Sequence, residues 1–163
     1  MSRPGAFYWA TTTRATPDEE ALQMTFDPHE LLATTRHGIL ATIKPGGLPQ
    51  LSPVWQYYDR ERSEILISTR EGLVKTKNLR RDPRAAFEVD GPGGRSWATA
   101  EGTVTLTGPG TDPGGPEVDA LVDYYRRGAG EHPDWDEYRE VMVEDRRVLI
   151  TIAVAKVYGA DLG

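Results

Sequence analysis

Apolar and polar residues alternate with a period of two over most of this chain and change to a helical period in a few short places. In 38-GILATIK-44, Ile39, Ala41 and Ile43 alternate with Leu40, Thr42 and Lys44, and Pro45-Gly46-Gly47 supplies a turn into a second β-type stretch. SEILIST (63–69) and RAAFEVD (84–90) read as further strands, separated by a basic segment from about Gly72 to Asp82 that reads as a helix. After a GPGG turn, Ala98, Ala100, Gly102, Val104 and Leu106 fall on one face of a fifth strand, with Trp97, Thr99, Glu101, Thr103 and Thr105 on the other. Trp97 thus sits on the polar face. VLITIAV, with Val148, Ile150, Ile152 and Val154 in alternation, closes the pattern and runs into KVYG.

Three other helices carry start and stop signals. Asp27 is placed to cap the first, with Pro28 at its first position, Glu30 three residues from the cap and Gly38 near its stop. Val118, Leu121, Val122 and Tyr125 have the spacing of a buried helix face ending near Gly128. Asp134 can cap the next, with Glu137 three residues on and Trp135, Tyr138 and Met142 as its apolar stripe. Closely spaced strands with helices inserted late predict an α+β fold, an antiparallel barrel with peripheral helices. Residues 1–25 lack periodicity and read as an N-terminal tail whose aromatics Phe7, Tyr8 and Trp9 can pack back; residues 26–163 form the domain.

One stretch breaks the rules of its own pattern. In 48-LPQLSPVWQYYD-59, Leu51, Val54, Trp55, Tyr57 and Tyr58 suit a pleated surface, yet Pro49 and Pro53 cannot donate to a ladder. Proline confines such a strand to an edge or a bulge. The reading adopted is that a ligand uses the backbone groups left unpaired there.

Composition narrows the chemistry. A chain of 163 residues without cysteine excludes disulfides, iron–sulfur clusters and thiol nucleophiles, so redox chemistry must come from a cofactor. No apolar run reaches the length of a membrane span and the first residues lack a secretory apolar core, so a cytoplasmic protein is expected, without membrane association. A net charge of −6 argues against nucleic acid as a partner. Against that acidic background, 70-REGLVKTKNLRRDPR-84 carries six cations and only two acids. Such a segment suits a small anion, or is simply a solvated basic face. On an ideal helix Lys75 and Lys77 point about 200° apart, so one of them binds or the segment begins as a loop.

Other constellations carry little. GPGTDPGG follows no strand-to-helix entry, and its prolines remove the amides a phosphate needs. His29, His37 and His132 show no metal-ligand spacing, so no metal site is expected. No GxSxG elbow is present. Trp135 and Tyr138 read as core, with the substrate end of a cleft as the alternative.

The blocks GILATIKPGGLPQLSPVW, SEILIST, KTKNLRRDPRAAFEV, SWATAEGTV and RRVLITIAVAKVYG together resemble the split β-barrel flavin and deazaflavin oxidoreductases, specifically the pyridoxamine 5'-phosphate oxidase-like group that uses coenzyme F420. The resemblance runs from about residue 27 to 159. It implies a homodimer with the cofactor between subunits, its ring along Gln50, Leu51, Ser52, Pro53 and Val54, meeting backbone amides such as those of Ser52 and Val54. It also implies that Ser68, Thr69 and Lys75 hold the phosphate, with Lys77 as auxiliary, and that Arg95 and Trp97 reach the partner's cofactor; a plain dimer-interface anchor is the alternative for Trp97. Leu73 stands where many relatives carry Arg. The expected activity is hydride transfer from reduced coenzyme F420 to an unsaturated small molecule, with the proton from solvent, since no side-chain acid is evident. The alternatives are an FMN-dependent oxidase or reductase of the same fold, and a non-catalytic protein that stores the coenzyme.

Overall fold

The computed structural model describes residues 26–163; the expected tail and its aromatics lie outside them. In chain order the elements are α1 (Pro28–Thr34), β1 (His37–Ile43), β2 (Pro49–Trp55), β3 (Tyr57–Asp59), β4 (Glu64–Arg70), α2 (Val74–Arg81), β5 (Arg84–Asp90), β6 (Ser96–Thr107), α3 (Pro116–Ala129), α4 (Trp135–Glu144) and β7 (Arg147–Asp161). All strand pairs are antiparallel, in one seven-stranded sheet of order β2-β1-β5-β6-β7-β4-β3. The α+β expectation holds.

The stretch from Leu48 to Asp59, continuous in sequence pattern, is two strands. β2 and β3 are the two outermost strands of the sheet, yet only Gln56 separates them. Two successive Cα steps span at most about 7.6 Å, so the sheet has to curl until its edges meet beside that residue. Gln56 is 3% exposed and fastens the seam. Its backbone N–H donates to Arg36 O (2.8 Å), and its amide nitrogen donates to Leu32 O (2.7 Å) and Thr35 O (2.6 Å).

Alternation sets the interior. Leu40, Ile65, Ile67, Phe87, Val89, Ala98, Ala100, Ile150 and Ile152 fill the curl, with Leu32 of α1 closing one end. Each large side chain removed from water contributes roughly 1.5–3 kcal/mol. β4 and β7 read as nearly continuous apolar runs because both their faces are covered: Leu66 and Leu149 turn outward onto Val118, Leu121 and Met142 of α3 and α4. Asp27 caps α1 as expected, its carboxylate accepting from His29 N–H at 2.9 Å.

Gly38 is not the helix stop that its position suggested. α1 ends at Thr34, and Gly38 lies inside β1, where an added Cβ would come within 2.3 Å of Glu88 O and 2.4 Å of a Phe87 ring carbon. The glycine serves close packing over that ring. The β1–β2 turn does need glycine conformation: Gly47 has φ +86° and its N–H donates to Lys44 O at 2.9 Å. β7 runs 15 residues, with a bulge where Glu101 faces Lys156 and Gly102 faces Val154, leaving Ala155 unpaired. Among the described residues no helix is long and apolar enough to cross a membrane.

Candidate functional site at the seam of the sheet

Hydrogen-bond parity fixes which backbone groups β2 leaves open. Lys44 N–H donates to Leu48 O (2.9 Å) and Gln56 N–H to Arg36 O, so the even-numbered residues of β2 turn their N–H and C=O toward β1. The odd-numbered residues, Pro49, Leu51, Pro53 and Trp55, turn theirs outward. Both prolines therefore occupy positions that lack a ladder partner. The same parity corrects an expectation: Ser52 and Val54 bond inward, and the free amides of this edge are those of Leu51 and Trp55.

β4 presents the facing edge. Glu71 N–H donates to Arg146 O at 3.0 Å, so odd-numbered residues of β4 pair with β7 and even-numbered ones face the other way. β3 pairs only with Glu64, Ile65 and Leu66. Beyond Leu66 the groups of Ser68 and Arg70 have no strand partner, and the Arg70 carbonyl is taken instead by the Thr76 hydroxyl at 2.7 Å. That bond anchors the start of α2 against the seam.

Between these two edges runs a groove of about 520 Å³ lined by Pro53, Val54, Trp55, Ser68, Thr69, Arg70, Leu73, Lys75, Tyr124 and Arg147. Its electrostatics favour an anion. Arg70 and Arg147 stand directly opposite in the β4–β7 register, a like-charge pairing that costs stability. One carboxylate relieves it: Asp145 accepts from Arg70 at 2.7 Å and from Arg147 at 3.1 Å. Lys75 has no carboxylate within ion-pair reach among the described residues, and burial pushes its ammonium below the usual lysine range. α2 begins here at Val74, after the N-cap residue Leu73, with no side-chain cap and no acid in its first turn, leaving its positive end uncompensated. Thr69 is 3% exposed and its buried hydroxyl oxygen has no hydrogen-bond partner among the described residues. Unpaired buried polar atoms are uncommon, and this residue lines the same groove as Lys75.

Tyr124 supplies the groove's phenol. Burial raises its pKa, opposed by the Ser68 backbone N–H and by the Arg36 and Arg147 cations, so it stays protonated at neutral pH.

Of the residues singled out from sequence, Pro53, Val54, Ser68, Thr69 and Lys75 converge on this groove. Gln50 and Ser52 do not line it. They belong to an internal network in which Gln50 donates to Ser52 Oγ (3.2 Å) while Asn78 of α2 donates to Thr42 Oγ1 (3.1 Å) and Gln50 Oε1 (3.3 Å). Leu51 points to the outer face, 64% exposed. Lys77 is exposed outside the groove, as the angle between the two lysines required. Arg95 and Trp97 lie at the start of β6, away from it within one chain; Trp97 packs edge-on against Tyr158 at 5.9 Å. Tyr138 and Trp135 belong to the packing of α3 and α4, Tyr138 donating to Leu121 O at 3.1 Å. Tyr124, Arg147, Trp55 and Arg70 enter the site without having been singled out for it. Among the described residues no His, Asp or Glu group of metal-binding size occurs.

Solved structures share this fold at low identity. A conserved hypothetical protein from Mycobacterium tuberculosis is 24% identical over 96% of this chain and 91% of its own, with a TM-score of 0.62. An F420 reductase is 24% identical over 80% of this chain and 94% of its own, with a TM-score of 0.55. A heme binding protein from Mycobacterium smegmatis is 16% identical over 82% of this chain and 56% of its own, with a TM-score of 0.55. The family model for pyridoxamine 5'-phosphate oxidase matches residues 28–160, the whole curled sheet with its helices, and the chain belongs to that family.

Proposed function

We propose that the groove holds coenzyme F420 and that the protein is a reductase delivering hydride to an electron-poor double bond of a small molecule. The observation that carries this reading is Lys75, a half-buried ammonium without a counter-ion among the described residues, in a groove that Thr69 also lines. An anionic phosphate gives that ammonium its counter-ion. The resemblance to an F420 reductase supports the choice of cofactor.

Bound there, the reduced coenzyme supplies the hydride. The chain's own residues position and shield it. Lys75 and Thr69 grip the phosphate, Arg70 and Arg147 add positive potential, and the free amides of Leu51 and Trp55 meet ring heteroatoms along the β2 edge. Tyr124 keeps its proton at neutral pH and is the phenol of the groove, and the proton that completes the reduction comes from solvent.

The working unit in this reading is a homodimer. Leu48, Leu51 and Trp55 are 64–67% exposed on and beside β2, and Trp55 lines the groove. Covering them with a second copy removes that apolar surface from water and closes the groove, with Arg95 and Trp97 contributed by the partner. FMN in the same groove is the second reading, since it shares a phosphate and a planar ring system. Storage without turnover is the third, and the heme-binding relative of this fold favours keeping it.

Titrating the purified protein with coenzyme F420 and with FMN, followed by quenching of tryptophan fluorescence, tests the proposal. Saturable quenching by F420 that is lost in Lys75→Ala supports it. Tighter FMN binding moves the assignment to the second reading, and no binding of either removes both.

A further inference from the structure

Beside the groove, sharing Trp55 and Tyr124 with it, lies a second cavity of about 280 Å³. Its walls are mostly aromatic: Tyr57, Tyr124, Tyr125 and Trp55, with Arg36 and Gln56 as its polar elements. The volume suits one small planar molecule.

The two polar residues are each short of a partner. Tyr57 has two guanidinium groups near its ring, Arg36 at 5.2 Å and Arg127 at 5.3 Å from the centroid. Arg127 is neutralised by Asp59 and Asp123. Arg36 has no carboxylate within ion-pair reach among the described residues, although it is half-buried. Gln56 commits its amide nitrogen to Leu32 O and Thr35 O, which fixes the orientation of the amide and leaves Oε1, among the described residues, without a donor and buried behind the cavity wall. A cation lacking an anion, among aromatic rings, defines a ligand by complementarity.

We infer that this cavity is a binding site for a planar, conjugated or aromatic carboxylate, its carboxylate on Arg36 and its flat body among the tyrosines. The assignment of that molecule as the hydride acceptor rests on the function proposed above; its binding does not. Gly128 of α3 also lines the cavity, and a Cβ there would sit 3.8 Å from Tyr57, an ordinary contact. The helix therefore accepts a larger residue at Gly128 that would fill the cavity from its wall.

Calorimetric titration of the full chain with trans-cinnamate and with its neutral amide tests the inference, alone and with coenzyme F420 present. The expected result is cinnamate binding at least about tenfold tighter than cinnamamide, a preference erased by Arg36→Gln, and binding blocked by Gly128→Leu but kept by Gly128→Ala. Coenzyme affinity stays within about twofold in Arg36→Gln and falls in Lys75→Ala, which keeps cinnamate binding. Equal binding of acid and amide, no binding of either, or a preference that survives Arg36→Gln overturns the inference. If wild-type protein binds neither F420 nor FMN but shows Arg36-dependent cinnamate binding, the cofactor reading falls and this site stands.

Discussion

Trp55 and Tyr57 are separated by one residue and end up on the two opposite outermost strands of the sheet. Everything proposed for the groove follows from that arrangement, because it brings two unpaired strand edges face to face. Gln56, between them, holds the C-terminal end of α1 to the seam through one buried carbonyl, Leu32 O, and one part-buried carbonyl, Thr35 O. Gln56→Ala should cost about 2–4 kcal/mol, since both carbonyls lose their donor inside the protein. Urea unfolding measures this; a loss below about 0.5 kcal/mol would show that the backbone alone sets the seam.

Lys75→Ala should weaken coenzyme binding by roughly ten- to hundredfold. The pH dependence has a definite sign. Burial lowers the pKa of Lys75, so its ammonium is lost at a lower pH than that of an exposed lysine, and affinity should fall as pH rises through that depressed value. Lys75→Arg keeps its charge and should flatten the alkaline limb of the profile. Identical profiles for the two proteins would remove Lys75 from the phosphate site.

Acid should unfold the protein through its Asp–Arg pairs. Asp82 is brought down to about 2, first by its hydrogen bonds with Arg84, and Glu71 lies below its usual range through Arg80. Asp59 and Asp145 are also lowered: burial opposes the shift, and their arginine partners outweigh it. A carboxylate depressed in the folded state contributes stability above its unfolded pKa and loses it as pH falls toward the folded one. Stability is thus expected to be flat above about pH 5 and to decline between about pH 4 and 2. Thermal melts across that range should show it, and a Tm constant down to pH 2 would exclude it.

Phe87 is fully buried at the centre of the curl. Phe87→Ala should destabilise by about 3–5 kcal/mol through lost burial and the cavity left behind. Denaturant midpoints at unchanged slope measure that cost.

Leu51 and Trp55 stand on the exposed face of β2. Leu51→Glu should convert a dimer to monomers in sedimentation velocity at micromolar protein while leaving the circular dichroism spectrum intact. A wild-type chain that sediments as a monomer would remove the partner's Arg95 and Trp97 from the groove.

Strand periodicity made most of the fold legible. Alternation placed Ala98, Ala100 and Val104 inside β6, and turn residues marked the β1–β2 hairpin. The division at Gln56 was not legible, because Trp55, Tyr57 and Tyr58 are all good strand formers and only tertiary pairing shows that they serve different edges. The site was half legible. Lys75 stood out only as one of six cations; what distinguishes it is partial burial in the groove without a carboxylate, for Arg70, Arg80 and Arg84 each have one, Arg81 donates to Ile43 O and Lys77 is exposed outside the groove. Arg147 and Tyr124 reach the groove through the β4–β7 register and the seating of α3, neither of which leaves a local signal. Gly38 misled because a glycine required by close packing has the same letter as one that ends a helix.

The placement of Pro49 and Pro53 also governs how copies of this chain can accumulate. An incoming strand aligned on β2 would find donors at Leu51 and Trp55 and bare ring nitrogens at the two positions between and before them. Cross-β growth along that margin is therefore starved of every second rung, so the chemistry of the rim works against edge-to-edge growth where Leu51 and Trp55 are so openly displayed.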